Sequence, residues 1–268
     1  MQMTSRSILC GAAMILFNIV AFSVTSLCAA ATVGATVPSS MAVPVRFVHS
    51  VDARKAHPGD QVVAKLLQTV VIPDGPRILK GSLVIGHVVD AQPFHLTREP
   101  YAEQKASVLS IHFDHIVNGD LSTPVNLSVR ALANSIESYE AAYPHRLDET
   151  DGLGTIDLIG GDEFSPLDKA IRDSDGQVIG FNRKNGVFAR LITSDDTNMT
   201  GSPGCNATDS EQSVAIFSPS ACGTYGFEGV SMSRTGRRGS GTFTFESHEH
   251  SVKLYAGSTA LLQETKGH

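Results

Sequence analysis

Tryptophan is absent from this 268-residue chain, and aromatic residues make up only 6% of it. Sugar-binding surfaces usually stack an aromatic ring on the ligand, so this scarcity weighs against glycan binding. Positive charge is also scarce, because 21 basic residues stand against 27 acidic ones and no long basic stretch occurs. This balance argues against a nucleic-acid partner.

Sequence motifs of the common enzyme classes are also missing. The chain has no H-E-x-x-H, no G-x-S-x-G, no Walker loop and no G-x-G-x-x-G. Each of these motifs places a metal, a nucleophile or a phosphate in a defined local structure. Acidic pairs such as Asp195-Asp196 and Asp162-Glu163 could serve a glycosidase in principle, but a sequence does not give the carboxylate separation which that chemistry requires. We therefore expect no catalytic residue and no cofactor.

The first 31 residues have the pattern of a secretory signal. Arg6 is their only charged residue, an apolar run extends from Ile8 to Val24, and small residues follow at Ala29-Ala30-Ala31. A positive start, a short apolar stretch and an A-x-A-like site define such a signal. We expect cleavage after Ala30 or Ala31. A lipid anchor on Cys28 is disfavoured, because Leu27 stands where a lipobox has a small residue.

A retained membrane anchor fits less well, since a spanning helix needs about 20 apolar residues. No segment after the signal is apolar over 18 residues, so we expect no transmembrane helix in the processed chain. Removing the signal takes away Arg6 alone among the charged residues, which leaves 20 basic and 27 acidic residues and a net charge of −7. An exported chain of this kind would act in the periplasm, in the outer envelope or outside the cell.

The sequence of the processed chain predicts a mainly β fold. Its 24 glycines lie mostly between short apolar runs, as expected for strands that are joined by tight turns. We predict an antiparallel β-barrel or sandwich with a long loop-rich insertion, and short helical turns near Ile136–Ala142 and Pro166–Ile171. After the signal peptide (1–31), the predicted regions are a flexible lead-in (32–42), the first half of a β-domain (43–133), the insertion (134–176), and a β-rich second half (177–268) that closes the same or a second domain.

Several small residues mark the predicted turns. Gly81, Ser82 and Gly86 interrupt an apolar run, and glycine inside a strand usually indicates a bulge, a barrel corner or a close backbone approach. Asn118-Gly119 is a strong hairpin signal. The segment around Gly257-Ser258 repeats the pattern of the first corner, with an apolar residue, two spacers, Gly-Ser and an apolar run. The repeated pattern is compatible with two similar corners in one barrel.

The order of motifs from Gly59 to Leu132 resembles a known family. A glycine precedes Val62-Val63-Ala64-Lys65-Leu66, a turn leads to Ile78-Leu79-Lys80-Gly81-Ser82-Leu83-Val84-Ile85-Gly86, and a strand pair follows. These segments are similar to the V-x-A-x-L and I-P-K-G-S-x-L-I-G segments of TrbI-like conjugal-transfer proteins, the outer core component of type IV secretion channels. Leu79 stands where the family has proline. The resemblance implies a β-barrel in the cell envelope and does not carry over channel function.

Two cysteines remain after processing. Cys10 and Cys28 leave with the signal, and we expect Cys205 and Cys222 to pair, because an exported chain folds in an oxidising compartment. The bridge would close a loop of about 16 residues, worth roughly 3 kcal/mol in the chain-entropy model. Gln212–Phe217, inside that loop, reads as a strand.

Histidine clusters raise the possibility of a metal site. His248 and His250 would share one face of a strand, about 6.6 Å apart. His112 and Asp114 would share a face in the same way, with His115 facing away. Zinc sites need three or four ligands, so His248, His250, His112 and Asp114 are candidates only. We expect these histidines to lie in strands and to face solvent.

A non-catalytic envelope role is the function that these observations favour. The chain would be a structural, assembly or binding module, with other envelope proteins or itself as partner. Two alternatives stay open: an exported hydrolase with a site in the 134–210 loops, and a surface adhesin or glycan-binding domain. A binding module would present an exposed apolar patch or a free strand edge, a hydrolase a concave site with convergent His or acid groups, and an adhesin exposed tyrosines such as Tyr139 or Tyr143.

Overall fold

The structure is a computed structural model that describes residues 41–72, 77–100, 103–143, 156–164, 169–172, 175–183, 187–188, 211–219, 221–234 and 241–264. The signal peptide and nearly all of the lead-in lie outside these ranges. The described residues are mostly in strands, with a single helix. The fold is mainly β, as predicted.

The strands differ in length, and the three longest lie between residues 83 and 133. In chain order they are β1 Ala42–Phe47, β2 Val51–Asp52, β3 Gln61–Leu66, β4 Val70–Val71, β5 Arg77–Ile78, β6 Leu83–Gln92, β7 Ser107–Asn118, β8 Leu121–Ala133, helix α1 Ser135–Ala142, β9 Ile156–Asp157, β10 Glu163–Phe164, β11 Ala170–Arg172, β12 Val178–Phe181, β13 Val187–Phe188, β14 Gln212–Ser213, β15 Gly223–Tyr225, β16 Ser231–Arg234, β17 Thr242–Ser247, β18 Lys253–Leu254 and β19 Thr259–Glu264.

Six antiparallel strands close into a barrel, in the order β8-β19-β1-β3-β6-β7 and back to β8. Of the two predicted architectures, an antiparallel barrel or a sandwich, the barrel is confirmed. Strand β7 divides one edge between two partners, because its first half pairs with β17 and its second half pairs with β8. Strand β16 extends the sheet beyond β17, and β15 lies parallel to the end of β8.

The barrel interior is filled by aliphatic and aromatic side chains. Phe47, Phe113, Phe243 and Phe245 are each at most 1% exposed, and the ring centroids of Phe113 and Phe243 lie 5.7 Å apart. Tilted aromatic contacts at this distance stabilise a core beyond the area that they bury.

A second apolar cluster covers the outer side of β1, β8 and β19. Ala131 and Leu261 alternate with residues that face the barrel interior, and they pack against Ile171 and Phe217. Strands β9 to β12 form a separate four-stranded sheet that contributes to this cluster. The described part of the predicted loop-rich insertion therefore contains α1 and three short strands, which bury apolar surface of their own.

Two local predictions in this region are wrong. Ala170 and Ile171 lie in β11, where we predicted a helical turn, because Ile171 is drawn into the second cluster. Of the predicted strand Gln212–Phe217, only Gln212 and Ser213 form a strand, β14. The chain then turns at Ala215, whose φ is +54°. The predicted helical turn at Ile136–Ala142 is confirmed as α1.

Two Gly-Ser corners have the same backbone bonding. The N–H of Gly81 donates to the carbonyl of Leu66, at the end of β3, and the N–H of Leu66 donates to the carbonyl of Ser82. Gly257 and Ser258 make the same pair of bonds with Phe47, at the end of β1. Both glycines have φ of +90°, a conformation that glycine adopts without steric cost. The repeated sequence pattern thus corresponds to two equivalent corners.

No helix among the described residues combines the length and the apolar character that a membrane crossing requires.

Candidate functional site

Helix α1 is attached where barrel strand β8 ends. Asn134 caps the helix, since its Oδ1 accepts hydrogen bonds from the backbone N–H groups of Ile136 and Glu137, each at 2.8 Å. A side-chain oxygen in this position stabilises a helix start. Ser138 is the buried residue of the helix, and its hydroxyl lies 2.8 Å from that of Thr259 on β19. Ser138 therefore joins the helix to β19, and Ala141 packs against the second apolar cluster.

The opposite side of α1 presents an apolar face to solvent. Ile136, Tyr139 and Tyr143 are 63%, 61% and 59% exposed. Ile136 and Tyr139 lie on the same side of the helix because they are three residues apart. Tyr143 follows as the C-cap residue, and its ring centroid lies 5.0 Å from that of Tyr139. We refer to these three residues as the α1 apolar face. Single exposed hydrophobic residues need no explanation, whereas adjoining ones mark interaction sites.

A groove of about 500 Å³ adjoins this face at Ile136. The Nζ of Lys253 lies 4.3 Å from the centre of the Tyr255 ring in the groove, a cation–π contact. The groove is lined by apolar side chains mixed with charged and polar ones: Ile136, Phe227, Val230 and Tyr255 among the first, Glu137, Glu228, His250 and Lys253 among the second.

A histidine–aspartate cluster lies on the outer surface of β6 and β7. His87 Nδ1 is 2.9 Å from Asp114 Oδ2, and His112 Nε2 is 3.7 Å from Asp114 Oδ1. The two imidazole rings are 5.6 Å apart between centroids. His87 and His112 are direct partners in the β6–β7 register. Sequence reasoning selected His112 and Asp114 but missed His87, because a pairing across 25 residues leaves no local signal.

A β-bulge explains how the cluster forms. Ile85 pairs with His115 and Gly86 with Phe113, so Asp114 is the extra residue on β7. Phe113 and Ile116 are both buried, and Asp114 and His115 between them both lie on the outer side. The prediction that His115 faces away is therefore wrong, because the bulge breaks the two-residue alternation.

Gly86 permits the bulge by its lack of a side chain. A Cβ at this position would lie 2.1 Å from the carbonyl oxygen of His112 and 2.9 Å from the Cα of Phe113. The backbones of β6 and β7 therefore approach more closely than any other residue type allows.

The other two metal candidates do not lie in a strand. Strand β17 ends at Ser247, and the chain bends through His248 and His250. His248 Nδ1 is 3.3 Å from the carbonyl oxygen of Gln104, whereas His250 lines the groove beside α1. The predicted common face is wrong because a bend lacks the two-residue period. In the part of the chain that the structure describes, no group of three His, Cys, Asp or Glu side chains could hold a metal ion.

Arg130 is a buried cation that sequence reasoning missed. It projects from β8, is 5% exposed, and donates through Nε to the carbonyl of Ala221 at 3.0 Å and through Nη2 to that of Pro219. Burial lowers the pKa of Arg130 to about 10, so it stays protonated at neutral pH. Burial also raises the pKa of Tyr225, whose hydroxyl accepts a hydrogen bond from the N–H of Cys222 at 3.0 Å. These bonds fasten the segment around Cys222 to the barrel.

A second groove, of about 530 Å³, is lined in part by Asp52. Asp52 accepts hydrogen bonds from the backbone N–H, the Nε and the Nη2 of Arg54 at 3.0, 3.1 and 2.8 Å. The side-chain hydrogen bonds to Arg54 hold the pKa of this carboxyl below its usual value.

We expect Asp52→Asn to lower stability at pH 7 and to matter less in acid. Because the folded pKa is lower than the unfolded one, the carboxylate stabilises the fold above about pH 4 and loses this effect as the pH falls through the folded pKa. Urea unfolding of both proteins at pH 7 and pH 3 measures the difference. A deficit of the variant that is equal at both pH values would contradict this assignment.

The remaining predicted residues divide between the described and undescribed parts. Cys222 is buried, but Cys205 lies outside the described residues, so their pairing stays a prediction. Gly119 has a φ of +61° and makes the turn between Asn118 and Leu121. Much of the 134–210 region, in which the alternative hydrolase hypothesis expects its site, lies outside the described residues.

Comparison with known proteins gives this chain no relative: no family model and no curated protein matches it.

Proposed function

We propose that the mature chain is an exported, non-catalytic envelope protein that binds another envelope protein, or a second copy of itself, through the α1 apolar face. The observation that carries the proposal is the exposure of Ile136, Tyr139 and Tyr143 on one side of a capped helix. Exposing three such side chains to water raises the free energy of the folded chain. A partner that covers them removes this cost.

The groove beside the helix also supports protein binding at this face. It shares Ile136 with the apolar face and adds Phe227 and Tyr255, and the charged residues Glu137 and Glu228 also line it. Protein interfaces combine aromatic and aliphatic side chains with polar ones in this way.

Export is part of the proposal. Its support is the residue pattern of the first 31 positions, together with the burial of Cys222. We propose Cys205 as its disulfide partner. We also propose a TrbI-like relationship for the barrel, supported by the Gly81-Ser82 corner at the start of β6.

Affinity capture from the envelope of the native host tests the proposed function. The bait is the processed chain, compared with a variant in which Ile136, Tyr139 and Tyr143 are all serine. We expect the wild type to retain one envelope protein, or its own untagged copy. The triple variant should capture at least about tenfold less of that partner, since two or three buried anchors carry most of the binding energy of an interface.

Leu121 offers a matched control. It is 50% exposed and lies at the start of β8, whereas α1 follows the end of that strand. Thirteen strand residues separate the two positions by about 40 Å, so Leu121→Ser should leave capture unchanged. Equal capture by wild type and the triple variant would contradict the proposal.

Glycan binding is the second candidate, because paired exposed tyrosines can stack on sugar rings. Glycan binding predicts different results: a soluble oligosaccharide would release the captured material from the wild type. A sugar array would bind the wild type but not the triple variant.

A further inference from the structure

We propose that the partner at the α1 apolar face is a second copy of this chain, and that the two copies pair around a two-fold axis. In this arrangement, Tyr139 and Tyr143 of each copy enter the groove beside α1 of the other copy. The inference rests on the proposed function, because it takes binding through this face as given and names the partner. A two-fold interface uses the same patch on both copies, so the patch must be complementary to itself.

The shape of this surface meets that requirement. Ile136 lines the groove of about 500 Å³, and Tyr139 and Tyr143 project into solvent from the same helix. The groove contains Phe227 and Tyr255, which offer aromatic surface to an inserted tyrosine ring. Because a projection and a recess adjoin on one copy, a second copy that is rotated by 180° fills the recess and has its own recess filled in return.

One wall of the groove is held in place before any partner binds. The side chain of Asn134 donates a hydrogen bond to the carbonyl of Gly226, which fastens the β15–β16 connection to the start of α1. A Cβ on Gly226 would lie 2.8 Å from Cγ of Glu137, so the connection packs directly against the helix. A wall that is already ordered reduces the entropy that binding costs.

Charges of both signs line the groove. Glu137 and Glu228 belong to α1 and to the β15–β16 connection, whereas Lys253 belongs to β18. None of the three makes an ion pair with another described residue. Asp52 is the register partner of Lys253, but its carboxylate accepts its hydrogen bonds from Arg54.

A two-fold axis makes these charges complementary. When the axis passes between the acidic side and the basic side of the groove, the acidic side of each copy faces the basic side of the other. Glu228 of each copy then pairs with Lys253 of the other copy. Complementary charges at an interface fix its register and exclude other partners.

Sedimentation velocity of the tag-free processed chain, over a series of concentrations, tests the proposal. We expect a reversible dimer for the wild type. Glu228→Lys and Lys253→Glu should each raise the dissociation constant of the dimer at least about tenfold, because each places like charges opposite one another. Tyr139→Ser should weaken the dimer by a similar factor, since it removes an inserted anchor.

Mixing the two charge variants gives the sharper result. In a dimer of one Glu228→Lys copy and one Lys253→Glu copy, both pairs again join opposite charges. The mixture should therefore dimerise about as tightly as the wild type, although each variant alone is mainly monomeric. An effect of the two charges within a single copy would not be reversed by mixing, since each copy keeps its own two like charges.

The matched controls are Lys80→Glu for charge and Leu121→Ser for apolar surface. Lys80 is exposed and precedes the Gly81 corner, at the end of β3. Strands β1 and β3 are antiparallel, so this corner lies toward the opposite end of the barrel from the Gly257 corner, which follows Tyr255. Both control variants should dimerise as the wild type does, and circular dichroism verifies that every variant is folded.

Three results would overturn the proposal: a monomeric wild type, tight dimers of both single charge variants, or no recovery on mixing. A monomeric wild type that still captures a different envelope protein, and loses it in the triple serine variant, would overturn self-pairing and leave the proposed function standing. A wild-type dimer that the triple serine variant forms equally well would contradict both, because it would place the contact away from α1.

Discussion

Gly86→Ala is expected to cost about 3 kcal/mol or more of unfolding free energy, because the new Cβ meets backbone that cannot move aside. The added atom would lie 2.1 Å from the carbonyl oxygen of His112, which itself belongs to the β6–β7 ladder. Relief would require the two strands to separate at the bulge. The barrel closes through both strands, so the loss should appear as a lower midpoint of cooperative urea unfolding.

Gly59→Ala separates this steric effect from the ordinary cost of replacing a glycine. Gly59 has a φ of +93°, and a Cβ added there would meet no atom within 4 Å. Its replacement should cost only the strain of the left-handed conformation, about 1–2 kcal/mol. Equal destabilisation by the two substitutions would contradict the close approach that we describe at Gly86.

Arg130→Met is expected to lower stability by about 2–4 kcal/mol. The carbonyls of Pro219 and Ala221 would lose their buried donor, and each unsatisfied group costs about 1–3 kcal/mol, partly offset because the buried charge is also removed. Arg130→Lys should restore little, since an ammonium group lacks the planar fork that reaches both carbonyls.

The control for charge and side-chain size is Arg183→Met. Arg183 is 55% exposed and pairs with Glu211, which is 47% exposed, and exposed ion pairs contribute little. We expect its loss of stability to be clearly smaller than that of Arg130→Met. Amide hydrogen exchange should also accelerate around Cys222 in the Arg130 variant and stay unchanged there in the Arg183 variant.

The antiparallel β fold could be predicted from the sequence because its signals are local, whereas the choice between barrel and sandwich stayed open because it depends on long-range strand pairing. Strand alternation, the Asn118-Gly119 turn and the two Gly-Ser patterns each fit within about ten residues. The corner at Gly257 makes the same backbone bonds as the corner at Gly81, so a short repeated pattern correctly indicated an equivalent structure. Such signals are strong because turn conformations demand particular residues.

The candidate sites could be predicted only in part, because long-range pairing creates them. His87 joins His112 through strand register, and a single bulged residue, Asp114, decides which side chains share the outer surface. The local sequence around Arg130 indicates only an amphipathic strand, yet Arg130 donates hydrogen bonds to carbonyls about 90 residues later in the chain. The exposure of Tyr139 and Tyr143 depends on which side of α1 meets the barrel, which the pattern of one short helix does not determine.

Site-specific photo-crosslinking in living cells tests the proposed function most directly. A benzophenone amino acid would replace Tyr139 in one strain and Leu121 in another, and both strains would be irradiated before fractionation. We expect the probe at position 139 to yield one discrete adduct in the envelope fraction, with a second protein or a second copy of the chain, and the probe at 121 to yield none. An adduct with cytoplasmic proteins, identical products from both positions, or no adduct at 139 would contradict binding through α1 outside the cytosol.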